Sequence, residues 1–495
     1  MAPGFRFAKQ LSAILQFAVS GFDAPGTCCN RLTTVLSSDK VFISSDPGYV
    51  VENTKYWSST SVLAPACIFV PESPFDVSAA VKVLVENGCV FGVRGGGHTA
   101  NPGWAGTDSG VLISLSKLNT IEVSEDQETV IVGAGNRWGD VYAKTSEYGI
   151  TVAGGRVSSV GVSGFLLGGG LSYLMHTEGF GANSVISYEI VLANGTVTTV
   201  ATDSAGDLFK ALKGGTGNFG IVTSFKLQTY PVNDVYAGSL HYSTAQYNSL
   251  FSIMQTYALQ GIESDPKTHV ISSFIRSASQ GIDLATNYLF YSEPVTSPPP
   301  AIKPFFEVPS IHNTVKVKTV EDAAGELGVR IEEQRQDMWT YSIRANADLY
   351  KQLFEIWNST TRSLDSIDGW FSSIVFQPIS NSMIHASNMK GGNVLGLEGG
   401  LEPLVVVNYQ FAWLSHEDDQ KVYAMAESLI SASKDIARSQ NRLEQYIYLN
   451  YASTSQQAIQ SYGPTQVDFL RKVKFKYDPN GVFEKLSRGG FKIPL

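Results

Sequence analysis

Three glycines run straight into a histidine at Arg94-Gly95-Gly96-Gly97-His98. Such a run leaves unencumbered backbone N–H groups, and a nest of this kind holds pyrophosphate. A histidine at its end either stands beside whatever the phosphates anchor or is a capping or core residue. Spacing alone leaves both open. A second cluster, Val160-Gly161-Val162-Ser163-Gly164 with Gly168-Gly169-Gly170, would bring another stretch of backbone to the same ligand. Two glycine nests in one domain favour a large, flat, phosphate-bearing ligand over a tightly packed turn.

A third glycine pattern points elsewhere. Gly215-Thr216-Gly217-Asn218-Phe219-Gly220 matches the dinucleotide fingerprint. That fingerprint needs a strand before it and a helix after it. Here the helical Asp207–Lys213 precedes and the strand-like Ile221–Leu227 follows. The reversed order argues against a nicotinamide-dinucleotide site.

Elements must position these residues. Val77, Ala80, Val81, Leu84 and Val85 share a helical face, Asn87-Gly88 stops that helix, and Cys89–Val93 reads as a short buried strand feeding the glycine turn. Strands follow at Val111–Leu115 and Thr129–Val132, then a helix around Trp138–Glu147 and a strand at Ile150–Ala153. Asn194-Gly195 reads as a hairpin turn between Tyr188–Leu192 and Thr196–Val200. Leu404–Trp413 reads as a strand and Ser415–Ser433 as a helix, with a stiff proline loop at Pro294–Pro300. The texture divides the chain into a leading segment (1–60), a nucleotide-binding α+β domain (61–231), a second domain of sheet backed by helices (232–440) and a C-terminal segment (441–495).

Composition narrows the function classes. The 495 residues carry a net charge of −9 and no long basic run, which argues against a nucleic-acid partner. No apolar stretch reaches the roughly 18 residues of a membrane span. Residues 11–21 read either as the core of a secretory signal or as an amphipathic leading helix, so secreted and intracellular locations both stay open. The four cysteines, Cys28, Cys29, Cys67 and Cys89, have no zinc-site spacing, and no metal is expected. Cys28 or Cys29 paired with Cys67 would tether the leading segment; the alternative is four free thiols.

Taken together, several stretches resemble the berberine-bridge-enzyme-like branch of the vanillyl-alcohol-oxidase flavoprotein superfamily, in its fungal form. They are Cys67-Ile-Phe-Val-Pro71, Val93–His98, Gly154-Gly-Arg156 with Val160–Gly164, Gly168–Gly170, Glu189–Gly195, Asp207-Leu-Phe209, Gly214-Gly215 with Asn218–Val222, Tyr448–Tyr451 and Lys474–Phe483. The resemblance implies an α+β fold: a split FAD-binding domain closed by the C-terminal segment, with an inserted substrate domain of antiparallel sheet backed by helices. His98 matches the histidine that bonds covalently to FAD. Relatives with a second bond use a cysteine where this chain has Val157, so a single bond is expected. The cofactor wall implied is Arg94, Gly95, Gly96, Gly97 and Thr99, then Val157, Ser158, Gly161, Ser163, Gly164, Gly168 and Gly169. Ile221, Val222, Asn450 and Tyr451 complete it. Gly181-Ala-Asn-Ser184 departs from the family's usual Asp-Asn pair.

The same resemblance implies an oxidase: hydride passes from a substrate carbon to the flavin, and O₂ takes the electrons to give H₂O₂. The substrate is a small molecule, either a carbohydrate or a secondary-metabolite alcohol or amine. A cyclase that uses the pocket to shape its substrate, or a non-catalytic FAD carrier, are the alternatives. Val160 falls where the family gates oxygen; on its own it reads as a core valine. For the base, the candidate strands offer Asn408, Tyr409, Gln410 and Gln377, with His385 and Glu398 in reserve. Tyr409 would need a depressed pKa, and otherwise is a buried structural tyrosine.

Overall fold

The computed structural model describes residues 25–232, 234–327, 334–397, 399–400 and 402–494. The segment read as a signal or a leading helix (11–21) and Glu398 lie outside the described residues.

Three sheets carry the fold, which is α+β. In the first, Cys67–Phe69, Val111–Ser114 and Phe91–Arg94 run parallel, with Val41–Phe42 added antiparallel at one edge. Their residues are apolar on both faces, as expected of short parallel strands covered on both sides. Helix Pro74–Glu86 covers them. Ser73 and Asp76 form its capping box, and Val77, Ala80, Val81 and Leu84 are buried on its inner face. Helix Pro25–Val35 packs on the same sheet, fastened by disulfides Cys28–Cys89 and Cys29–Cys67. The expected tether is therefore present in its Cys29 form, with a second one beside it.

The second sheet is antiparallel, ordered Ile121–Val123, Thr129–Gly133, Ile221–Tyr230, Val185–Val191, Val197–Ala201. Gly195 takes φ +77° in the hairpin, the left-handed conformation that turn requires.

The third sheet has nine strands. At its centre Ile282–Tyr291, Thr268–Ser277, Phe371–Ile379, Leu404–Trp413 and Arg335–Arg344 lie side by side, all antiparallel. Helices Tyr247–Thr256, Ala347–Thr361 and Asp419–Ser439 back one face, where Phe274, Phe376, Tyr409, Phe411 and Trp357 share a core. The opposite face looks onto the first two sheets. The chain after residue 445 returns there: helix Pro464–Tyr477 packs on helix Gly206–Leu212, and Phe91 N–H donates to the Leu486 carbonyl.

Candidate active site

A cavity of about 790 Å³ lies between the helix-free face of the nine-stranded sheet and the glycine turns. That is the size range of cofactor and ligand pockets. The parallel strand Phe91–Arg94 opens directly into it, and the carboxyl ends of parallel strands are where open α/β sheets hold ligands.

The turn is built from beneath. Arg94 is buried and faces away from the cavity. Its guanidinium donates to the Glu52 carbonyl at 2.6 Å, to Glu52 Oε2 at 2.8 Å and to Ser114 Oγ at 2.7 Å, and sits 4.8 Å from the Tyr56 ring centre. Burial opposes ionisation of Glu52, but hydrogen bonds from Lys55 and Ser114 and the nearby charges of Lys55 and Arg94 hold its carboxyl below the usual range. Arg94 is thus a brace under the turn, a correction to its expected place on the cofactor wall. Gly97 takes φ +69°, and a Cβ there would lie 2.4 Å from the Lys55 carbonyl oxygen, so only glycine fits. Gly95, Gly96, Gly97, His98 and Thr99 all line the cavity. The His98 ring stacks on Trp57 at 4.5 Å between centroids and 11° between planes.

The two glycine segments meet backbone to backbone. A Cβ on Gly96 would stand 2.3 Å from the Gly161 Cα. Gly164 and Gly217 both line the cavity, and a Cβ on either would meet nothing within 4 Å, so this wall is open backbone facing a vacant volume. The Gly215–Gly220 segment therefore borders the cavity, although helix Gly206–Leu212 precedes it and strand Ile221–Tyr230 follows, the reverse of a Rossmann turn. Val157, Val160, Gly161, Ser163, Ile221, Val222, Asn450 and Tyr451 also line it.

Three expected wall residues are placed elsewhere. Ser158 is held by backbone bonds to Ala324 and Gly139 and is not on the wall. Gly168 ends helix Val162–Leu167, and a Cβ there would collide with Asn450 Oδ1 at 1.9 Å. Gly169, at φ +107°, packs on Leu395. Both glycines allow close packing. In the departing loop Gly181–Ser184, Asn183 Nδ2 donates to the Ser387 and Gly392 carbonyls and ties it to helix Asn381–Met389.

On the sheet, side chains alternate between faces. Ser373, Val375, Gln377, Gln410 and Ala412 reach the cavity, while Tyr409 points into the helix-backed core. The Tyr409 hydroxyl donates to Ser433 Oγ at 3.0 Å and lies 3.2 Å from the Tyr341 hydroxyl; burial pushes its pKa up to about 12. A base needs the opposite shift and access to substrate, so Tyr409 is corrected to a core tyrosine. Asn408 is fully buried, and its Oδ1 accepts from Gln410 Nε2 at 2.9 Å, so it stands behind Gln410 rather than on the wall. His385 is exposed on helix Asn381–Met389, away from the cavity. Ser373 Oγ is buried without a hydrogen-bond partner.

Sequence reading overlooked two features. One is Trp57, which no motif marks. The other is Arg156, quoted only as part of a glycine motif. Arg156 is 6% exposed and lines the cavity. It donates to His269 Nε2 at 2.9 Å, to Tyr451 Oη at 2.7 Å and to Gln377 Oε1. Among the described residues no helix is long and apolar enough to cross a membrane, and no cluster of three potential metal ligands occurs.

The FAD binding domain family model matches residues 65–201. The FAD-dependent monooxygenase drtC of Aspergillus calidoustus is 33% identical over 480 residues, covering 96% of this chain and 91% of that protein. Among solved structures, 6-hydroxy-D-nicotine oxidase of Arthrobacter nicotinovorans superposes with a TM-score of 0.77 at 20% identity, over 92% of this chain and 97% of that one. Physcomitrella patens BBE-like 1 does so with a TM-score of 0.75 at 18% identity, over 94% and 99%. The protein belongs to the FAD-dependent family of that Aspergillus relative, and it shares its fold with the two solved structures. It is an FAD-linked oxidoreductase.

Proposed function

We propose that the protein is an FAD-dependent oxidase that carries its flavin on His98 through one covalent bond and oxidises an alcohol or amine carbon of a secondary metabolite. The observation that carries this reading is the presentation of His98, at the end of a triple-glycine turn, on the wall of the large cavity. Backbone N–H groups of Gly95–Gly97 and the open backbone at Gly164 and Gly217 suit pyrophosphate and a flat ring system. Trp57 fixes the plane of the His98 ring. Val157 stands on the wall, and all four cysteines are in disulfides, which leaves no thiol for a second bond.

The chemistry that FAD supplies in this position is two-electron oxidation of a substrate carbon and delivery of those electrons to O₂. The chain's own part is to bind, orient and exclude water. The sheet wall mixes the apolar Ile271, Ile275, Met338, Phe371, Val375 and Ala412 with the polar Ser273, Gln336, Ser373, Gln377 and Gln410. The apolar part suits the carbon body of a metabolite, and the polar part suits its hydroxyl or amine groups. Gln410 gives one of its two amide N–H groups to Asn408 Oδ1, which leaves the other N–H to donate to a substrate and its carbonyl oxygen to accept from one. Ser373 Oγ offers a further donor and acceptor. Val160 borders the same space, where its side-chain size sets the room for O₂.

A second reading is monooxygenation, favoured by the similarity to the Aspergillus FAD-dependent monooxygenase. One experiment tests both. An anaerobic screen of alcohols and amines on apolar ring systems identifies a compound that bleaches the flavin, and turnover under ¹⁸O₂ follows. The oxidase reading expects one H₂O₂ per product and no label in product. Labelled product with no H₂O₂ establishes monooxygenation instead; no bleaching by any compound overturns the oxidase reading, and no labelled product with NADPH added as the two-electron reductant overturns the other.

A further inference from the structure

Arg156 is a buried cation without an anion. Its three hydrogen-bond partners, His269, Gln377 and Tyr451, come from three different parts of the chain, and none is a carboxylate. A guanidinium can only donate, so His269 Nε2 must be the acceptor and the proton lies on Nδ1, which is buried without a partner. Burial, the Arg156 charge and His176 hold His269 well below its ordinary pKa and keep it neutral. His176 is likewise pushed down to about 3 by burial and by Arg156. The cluster therefore carries one net positive charge. Glu326, the acidic side chain on the cavity wall among the described residues, is already taken by Lys318 and Thr314.

Neutral dipoles compensate a buried charge incompletely, and burying one without a counter-ion is costly. Arg156 lines the cavity, so a ligand there can supply the missing charge. The sheet tells which ligand. Gln377, beside Arg156, and Ser373 lie four residues apart on one strand and face the same way, so they stand roughly 13 Å apart. Val375 lies between them with Ser273 opposite it in register, and Ile271, Ile275 and Met338 are on neighbouring strands. Gln410 sits opposite Ser373 in register. The wall thus runs from a cationic end at Arg156 and Gln377 to a neutral polar end at Ser373 and Gln410, with the apolar Ile271, Val375, Ile275 and Met338 interspersed along it.

We infer that Arg156 is the anchor for an anionic oxygen of the substrate, so that the substrate class is an acidic enol, phenol or carboxylic acid on an apolar body. Gln377 and Tyr451 orient the guanidinium, and the apolar body lies over Val375 toward Ser373 and Gln410. The inference rests on the cavity being the FAD and substrate site proposed above.

The test uses FAD-loaded protein and two probes of one shape, 2-naphthoate and its neutral counterpart 2-naphthamide, followed by the shift each causes in the flavin absorbance. Naphthoate should bind roughly 30-fold or more tightly than naphthamide, the usual scale for a desolvated charge pair. Arg156→Gln should erase that preference while flavin content and flavin reduction potential stay as in the wild type. Arg156→Lys should keep part of the preference, which covers the case in which the glutamine variant does not fold. Equal affinity of the two probes for the wild-type protein overturns the inference. So does an Arg156→Gln variant that keeps the preference but shifts the potential, because the guanidinium would then serve the flavin. Flavin content is read separately in the same samples, so loss of the FAD reading itself is not mistaken for failure of the anion anchor.

Discussion

Tyr409 and Gln410 are neighbours on one strand, yet Tyr409 lies in the helix-backed core and Gln410 lines the large cavity. Tyr409→Phe should therefore cost stability by about 1–2 kcal/mol, for its hydrogen bonds to Ser433 and Tyr341, and leave the rate of flavin reduction nearly unchanged. Gln410→Ala should slow reduction roughly tenfold, about one hydrogen bond to substrate. Anaerobic stopped-flow reduction with a screened substrate decides; a Tyr409→Phe variant that binds substrate but no longer reduces would restore Tyr409 as the base.

Val160 borders the cavity from the loop that packs on the His98 turn. Val160→Leu should slow reoxidation by O₂ roughly tenfold, about 1.4 kcal/mol on that barrier, with little change in reduction by substrate. Both half-reactions are measured separately by stopped flow. Equal slowing of the two would mean a packing defect rather than control of oxygen access.

Asp337 is almost wholly buried, and burial raises its pKa to about 7 although Met338 N–H and Trp339 Nε1–H both donate to it. In the unfolded chain the same carboxyl titrates near ~4. The raised value means that its contribution to stability is complete below about pH 4 and falls as pH rises to about 7. The loss is on the order of 4 kcal/mol across that window. Asp337→Asn should flatten that part of the stability–pH curve. Denaturant midpoints of both proteins at pH 5 and pH 8 give the comparison, and parallel pH dependence would show that Asp337 is ionised in the fold.

Cys28–Cys89 and Cys29–Cys67 close loops with sequence separations of 61 and 38. Loop-closure entropy makes each about 4 kcal/mol, and both need an oxidising compartment. Non-reduced peptide mapping should find the Cys28-Cys29 peptide joined to the Cys67 and the Cys89 peptides. Alkylation of all four thiols after unfolding without reductant would rule the tethers out.

The glycine turns were legible in the sequence because their geometry is local: Gly97 at φ +69° and the His98 that follows are set within five residues. Helix Pro74–Glu86 and strand Leu404–Trp413 were legible for the same reason, through periodicity and capping. The facing of Tyr409 was not. Val405, Val406 and Val407 are apolar on both sides of a strand buried on both sides, so no polar alternation marks the cavity face. Nor was Arg156, whose partners lie 113, 221 and 295 residues along the chain and meet it only once the sheet has formed. Arg94 misled because its place in a cofactor motif says nothing of the direction of its side chain, which Glu52 captures from below.

The central claim is that His98, held against Trp57 at the end of the glycine turn, carries the flavin covalently. The most direct measurement is acid precipitation of the protein, followed by proteolysis and mass analysis of the pellet. A yellow pellet and a flavin-bearing peptide containing His98 are expected, with His98→Ala releasing its flavin into the supernatant. Wild-type flavin recovered free in the supernatant, or attached to a peptide without His98, would contradict it.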